Sequence, residues 1–142
     1  MPKTNGSGQA TVLTPDQMKS LMDAAPTQAH RVSWQIMRFT GSRITETLRL
    51  TWGAMHTDRI VFVKSTTKTR TTREVRLSQT LTRELDSYRV FWRQQYGREP
   101  KARDLLFPGR GSLLEPVTRQ SADKALRKAL ADLSLPSGVS LH

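Results

Sequence analysis

The spacing of apolar residues predicts two helices in the first third of the chain. The stretch Leu13–Gln17 is typical of a helix start, because Thr14 suits the N-cap, Pro15 the first helical position and Gln17 the capping box. A proline then ends this short helix. A second helix is predicted from Gln28 to about Thr40, on the apolar positions Ala29, Val32, Ile36 and Phe39.

The segment Thr40–Met55 comes next, and small residues at its start break the second helix. If a helix begins at Arg43, then Arg43 and Glu46 share one face, and Ile44 and Leu48 share another. The helix macrodipole disfavours an arginine at this position, whereas a bound phosphate suits both a guanidinium and free helical N–H groups. A surface ion pair between Arg43 and Glu46 is the alternative interpretation, since such pairs are common and weak.

Strand-forming residues replace the helical pattern after Met55. Two strands, Ile60–Val63 and Arg73–Leu77, are predicted to form a β-hairpin. From Arg59 to Arg76 six basic residues stand against one acidic residue, which gives this hairpin a net charge of +5. Charged edges protect strands from aggregation, but positive charge concentrated at a hairpin tip favours contact with phosphates.

Two further helices are predicted in the second half of the chain. Ser78 caps a long helix that extends to about Gly97, and Thr118 caps a final helix that ends at a Pro-Ser-Gly break. Tyr88 and Tyr96 lie in the long helix at helical spacing among other apolar residues. We therefore interpret both as core or half-buried aromatics rather than nucleophiles. The predicted fold class is α+β, mostly helical with a small antiparallel β-hairpin.

Composition and charge indicate the kind of partner. The 142 residues suit a single domain and contain 23 Lys+Arg against 12 Asp+Glu, for a net charge of +11 and a pI near 11.1. This balance favours a polyanion, most readily a nucleic acid. The absence of cysteine excludes disulfides, thiolate zinc sites and cysteine nucleophiles within these residues. No membrane span or secretory signal is recognisable, so a cytoplasmic location is expected.

Three segments resemble the tyrosine recombinases, the phage integrase family. Thr-Gly-Ser-Arg-Ile-Thr-Glu-Thr-Leu-Arg-Leu-Thr-Trp, at residues 40–52, resembles the first conserved box of that family. Aligning Val75 and Leu77 with the family's second strand puts its lysine on Lys68, and Arg76 stands where the family often has proline. Val-Ser-Leu-His, at residues 139–142, resembles the opening of the second box, His-x-x-Arg, and puts the family histidine on His142.

The resemblance implies a chemistry without metal or nucleotide cofactors. In this family a tyrosine attacks a DNA phosphodiester, which forms a 3′-phosphotyrosyl link and releases a 5′-hydroxyl. Arg43 would stabilise the non-bridging oxygens, Lys68 would protonate the departing 5′-oxygen, and His142 would bind the phosphate or assist the nucleophile's proton. Glu46 would orient or neutralise its charged neighbours without touching DNA. Contacts with the backbone of double-stranded DNA are assigned to Lys64, Arg70 and Arg73.

The resemblance also predicts how the chain is divided. Residues 1–12 are expected to be a flexible N-terminal tail, and residues 13–142 part of a recombinase catalytic domain. The family's second-box arginine and nucleophilic tyrosine have no counterpart here, so this chain alone is expected not to cleave DNA. The intact protein is expected to do so, with homo-oligomerisation on DNA as a further expectation.

Two other interpretations remain open at this point. A natural, non-catalytic DNA-binding remnant could regulate an intact recombinase, and the coding sequence beyond His142 distinguishes this case from part of an enzyme. An RNA-binding module fits less well, because the strands lack the aromatic pattern used for base stacking.

Overall fold

The computed structural model describes residues 11–63, 72–110 and 112–142. The elements in chain order are β1 (Thr11–Val12), α1 (Pro15–Asp23), α2 (Gln28–Thr40), α3 (Ile44–Leu48), a 3-10 turn (Trp52–Ala54), β2 (Arg59–Phe62), β3 (Arg73–Arg76), α4 (Gln79–Tyr96), α5 (Arg119–Asp132) and β4 (Val139–Ser140). The predicted fold class is confirmed: helices dominate, and β2 and β3 form a small antiparallel sheet. Within the described ranges, no helix is both long and apolar enough to cross a membrane.

Polar caps determine where the helices begin. The side chain of Thr14 accepts a hydrogen bond from the backbone of Gln17, whose side chain accepts one from the backbone of Thr14, so the predicted capping box is confirmed. Ser78 and Thr118 cap α4 and α5 in the predicted positions. Thr27 caps α2 by the same kind of bond, a role that the apolar pattern did not indicate.

Helix α2 is buried on both sides and connects two apolar clusters. Val32 and Ile36 contribute to a cluster with residues of α3, α4 and the β2–β3 sheet. Trp34 and Met37 contribute to a second cluster with residues of α1 and α5. All four side chains are buried. A helix that is apolar on both sides belongs in the interior, so the chain leaves α2 from a well-fixed point.

A carboxylate on α4 satisfies the polar groups of α2 inside this core. Gln35 is buried, and its side-chain nitrogen donates to Glu84 Oε1 at 2.9 Å. Arg31 Nε donates to the same oxygen at 2.9 Å. These two bonds fix the register of α2 against α4, because a buried amide without a partner is destabilising.

The two strands predicted as a hairpin pair as antiparallel neighbours. Arg59 lies opposite Arg76, and Phe62 lies opposite Arg73. Ile60 and Phe62 are fully buried, which places one face of the sheet on the core. The residues that join the strands, 64–71, lie outside the described residues.

Tyr88 is a core aromatic and Tyr96 is a half-buried one, as the sequence predicted. Tyr88 is buried, and its hydroxyl donates to the carbonyl of Leu106. Burial raises the pKa of Tyr88, and burial also raises the pKa of the half-buried Tyr96. A phenol with a raised pKa and an engaged hydroxyl is poorly suited to nucleophilic attack.

The connector after α4 contains an ordered ion pair that the sequence did not indicate. Asp104 is buried and accepts bonds from Arg98 Nη1 at 2.7 Å, Arg98 Nη2 at 3.1 Å and the backbone nitrogen of Lys101 at 2.7 Å. The hydrogen bonds from Arg98 lower the pKa of Asp104. The backbone of the connector in turn accepts bonds from Trp52 and Gly53, so it holds the 3-10 turn in place.

The two ends of the described chain meet in a short parallel pair of strands. Thr11 and Val12 of β1 pair with Val139 and Ser140 of β4, although the sequence placed residues 11 and 12 in a flexible tail. The adjoining leucines, Leu13 and Leu141, are both buried in the second apolar cluster. This burial depends on tertiary packing, which the polar local composition does not reveal.

The pair of strands places His142 against the end of α2. Gly41 ends this helix in a left-handed conformation, with φ of +72°, and its backbone nitrogen donates to Met37 at 3.0 Å. A Cβ atom at Gly41 would lie 3.3 Å from three atoms of the His142 imidazole. Glycine therefore suits this position both for its backbone angle and for the space it leaves to the ring.

We predict that Gly41→Ala lowers the free energy of unfolding by about 1–2 kcal/mol and also displaces the His142 ring. Gly97→Ala is the matched control, because Gly97 ends α4 at φ of +74° and an added Cβ atom there would meet no other atom of the described residues within 4 Å. Denaturant unfolding should show a similar loss for both variants. The proton resonances of the His142 imidazole should shift only in Gly41→Ala. Equal shifts in the two variants would contradict the packing of His142 against Gly41.

Candidate functional site

Buried hydroxyl groups hold the turn between α2 and α3. The hydroxyl oxygens of Thr40 and Ser42 are 3.0 Å apart, and those of Ser42 and Thr47 are 2.8 Å apart. Thr47 Oγ1 then donates to the carbonyl of Arg43 at 2.9 Å. All three hydroxyl residues are buried. The sequence marked the first two only as a helix break, but they fix the backbone from which Arg43 projects.

Arg43 is the N-cap residue of α3, and its side chain is exposed. Among the ion pairs of the described residues, none includes Arg43, so the alternative of a surface pair with Glu46 is not what the structure contains. Because α3 has only five residues and the N–H of Arg43 is already bonded, an anion here would be bound by the guanidinium. Its donors face solvent beside a rigid turn.

Glu46 lies beneath the turn and is 7% exposed. Its Oε1 accepts the backbone N–H of Arg43 at 2.9 Å, which caps the start of α3 with a negative charge. Arg73 Nη2 lies 3.3 Å from Oε1 and 3.4 Å from Oε2 of the same carboxylate. Glu46 therefore contacts the backbone of one arginine and the guanidinium of another.

Arg73 reaches this carboxylate from strand β3. Its Nη1 donates to the carbonyl of Thr40 at 3.3 Å, and its guanidinium carbon lies 4.6 Å from the centre of the Phe62 ring. The side chain is 37% exposed and is directed toward the α2–α3 turn. The sequence predicted a DNA contact for Arg73 and could not reveal these internal partners.

The fold gathers four of the predicted site residues around the α2–α3 turn. The imidazole of His142 lies against Gly41, two residues before Arg43. Arg43, Glu46 and Arg73 complete the group. The other predicted site residues, Lys64, Lys68 and Arg70, lie outside the described residues.

The basic residues at the base of the hairpin differ in their surroundings. Arg59 Nε lies 2.7 Å from Glu74 Oε1, and Arg59 Nη1 lies 3.1 Å from Asp58 Oδ1. Arg76 is exposed. In residues 11–63, 72–110 and 112–142, no group of three or more His, Cys, Asp or Glu side chains is arranged to hold a metal ion.

Solved recombinase structures share this fold. The crystal structure of XerA recombinase aligns with the whole chain at a TM-score of 0.70 and 17% identity, over 48% of its own length. The XerH site-specific recombinase, solved bound to its difH substrate in a pre-cleavage complex, aligns with 96% of the chain at a TM-score of 0.66 and 20% identity. The chain spans 40% of the length of XerH and so about half or less of either protein.

Comparison with family models agrees with the structural comparison, whereas no curated protein matches the chain. A family-wide comparison, however, matches residues 11–142 to the family described as the phage integrase family. This match includes the whole first box and the histidine at which the second box opens, and it confirms the resemblance to the family. The chain therefore belongs to the phage integrase family.

Proposed function

We propose that this chain holds the scissile phosphate of DNA in a site-specific recombinase. The observation that supports the proposal most strongly is the position of His142 beside Gly41, which brings the candidate histidine of the second box against the turn that carries the exposed arginine of the first. An exposed guanidinium on this turn and an imidazole packed against the turn suit a tetrahedral oxyanion. The net charge of +11 supports DNA as the partner.

In this proposal Arg43 and His142 bind the phosphate, and each has a different task. The guanidinium of Arg43 donates to the non-bridging oxygens, where negative charge grows in the transition state. The imidazole of His142 donates to a phosphate oxygen or assists the proton of the attacking hydroxyl. Tyr88 is buried with its hydroxyl bonded to Leu106, and Tyr96 packs half-buried against the core, so in this proposal the nucleophilic tyrosine comes from another part of the intact recombinase.

The basic segment between β2 and β3 supplies the remaining groups. We propose that Lys68 protonates the 5′-oxygen as it leaves, since an alkoxide is a poor leaving group without a proton. Lys64 and Arg70 are proposed to contact the DNA backbone. At the base of the hairpin Arg59 is paired with Glu74 and Arg73 with Glu46, whereas Arg76 is exposed. Residues 64–71 add three basic side chains to the sequence.

We predict that the chain binds duplex DNA with little sequence preference and a strong dependence on salt. If about five phosphates are neutralised, the logarithm of the association constant should fall with the logarithm of the salt concentration at a slope of about −4 to −5. Fluorescence anisotropy with a labelled duplex measures this slope. Reversing the charges of Lys64 and Arg70 together should reduce its magnitude by about 2.

A matched control separates local contacts from overall charge. Lys19→Glu combined with Lys128→Glu changes the net charge equally, at exposed side chains on α1 and α5. The control should flatten the slope much less than the Lys64 and Arg70 reversals. Binding that is insensitive to salt, or no binding at low salt, would contradict the proposed partner.

We also predict that Lys68 matters only when the leaving group needs a proton. In the intact recombinase, Lys68→Ala should slow cleavage of ordinary DNA by roughly 10²- to 10⁴-fold. A substrate with sulfur at the 5′-bridging position should be cleaved almost normally, because a thiolate leaves without protonation. Arg43→Ala should slow both substrates, since charge develops on the non-bridging oxygens in either case.

The same assay distinguishes Lys68 from Lys64. Sulfur rescue of Lys64→Ala but not of Lys68→Ala would identify Lys64 as the acid and show the alignment to be wrong. If neither variant is rescued, another group supplies the proton.

A further inference from the structure

We propose that Arg73 is a positioning residue that neutralises Glu46 and thereby keeps the guanidinium of Arg43 free for phosphate. The inference rests on the proposed phosphate-binding role of Arg43. It assigns Arg73 an internal task in place of the DNA contact expected from its sequence position.

Glu46 needs a positive partner because its carboxylate is buried. An ionised carboxylate removed from water is strongly destabilising unless it is paired and hydrogen-bonded. The nearest cations in sequence are Arg43 and Arg49, three residues before and after Glu46 at the two ends of the same helix. The structure instead pairs the carboxylate with Arg73 from β3, at 3.3 and 3.4 Å.

Arg73 is held in this place by contacts on three sides. Its Nη2 is shared between the two oxygens of Glu46, and its Nη1 donates to Thr40 at the carbonyl end of α2. The negative end of a helix dipole favours a cation there. The ring of Phe62 lies below the guanidinium, in the geometry of a cation–π contact. A lysine could not make these contacts at once, because it lacks the planar fork.

This pairing decides which arginine is available to DNA. With Arg73 in place, Glu46 also accepts a hydrogen bond from the backbone N–H of Arg43, while the Arg43 side chain stays exposed. Without Arg73, the unpaired carboxylate would attract the Arg43 guanidinium across one helical turn and present a negative charge to the phosphate. Through this ion pair with Glu46, Arg73 affects DNA binding without touching DNA.

Arg76 provides the matched control for this role. It lies three residues further along β3, on the opposite face of the strand, and its side chain is exposed. Arg76→Gln removes the same charge from the same strand without disturbing Glu46. Glu46→Gln removes the carboxylate charge and tests whether Arg73 is needed once that charge is gone.

The test measures DNA affinity of the 142-residue chain by anisotropy at about 0.1 M salt. Arg73→Gln should weaken binding by roughly 30- to 100-fold, and Arg76→Gln by no more than about tenfold, the effect of one phosphate contact. Adding Glu46→Gln to Arg73→Gln should restore the affinity to within about threefold of Glu46→Gln alone. Equal losses for the two arginine variants, without rescue by Glu46→Gln, would overturn the proposal.

A second measurement does not depend on DNA. In the NMR spectrum of the free chain, the Nε–Hε signal of Arg43 should show fast exchange with water in the wild type and slower exchange in Arg73→Gln, where the guanidinium pairs with Glu46. An unchanged Arg43 signal in that variant would overturn the positioning role even if DNA binding is confirmed. If no variant binds DNA but the Arg43 signal changes as expected, the proposed function fails and the charge arrangement stands.

Loss of folding is also informative. Circular dichroism shows whether the variants fold. If Arg73→Gln is unfolded and the double variant, Arg73→Gln with Glu46→Gln, is folded, the result supports the proposal that Glu46 needs a positive partner. Unfolding of both variants would contradict it, because the double variant contains no unpaired charge at this site.

Discussion

The carboxylate of Glu46 is the interaction on which the candidate site depends. It is buried under the turn that follows α2, and it connects the backbone of Arg43 to the guanidinium of Arg73. A charge in this position must be satisfied completely, since a buried carboxylate with one partner missing is strongly destabilising. This requirement joins strand β3 to the α2–α3 turn, and the exposed guanidinium of Arg43 forms no ion pair with any described residue.

Helix α2 supplies the rigidity that makes such a site useful. Its two apolar sides pack into separate clusters, and its polar residues are fixed by Glu84 on α4. The turn after it is further restrained by hydroxyl hydrogen bonds and by the left-handed conformation of Gly41. A phosphate-binding group gains from such preorganisation, because little reorganisation is needed when negative charge develops.

Much of the fold follows from local signals in the sequence. Thr14, Ser78 and Thr118 mark helix starts, and the apolar spacing places α2 and α4, because caps and periodicity act within a few residues. The family boxes also predicted Arg43, Glu46 and His142 as site residues, and their grouping around one turn is seen only in the structure. The assignments of Lys64, Lys68 and Arg70 stay predictions.

Several features that the sequence did not reveal depend on how the chain packs. The pairing of Arg73 with Glu46 joins a strand to a helix 27 residues away in sequence. The alternation along the strand indicates which face Arg73 lies on, but it does not show which side chain meets it there. Asp104 reads as part of a polar connector until its burial against Arg98 is seen. The strand formed by Thr11 and Val12 exists because β4 lies beside it. Polar composition alone indicates a loop around Asp104 and a flexible tail at Thr11 and Val12.

The central claim is that Arg43 faces the DNA while Arg73 faces Glu46, and an NMR titration tests it most directly. The guanidinium signals of both arginines can be followed in the isotopically labelled chain as a short duplex is added. The account predicts that the Arg43 signal shifts and broadens with DNA, while the Arg73 signal stays close to its position in the free chain. A large shift of Arg73 with an unchanged Arg43 would contradict it.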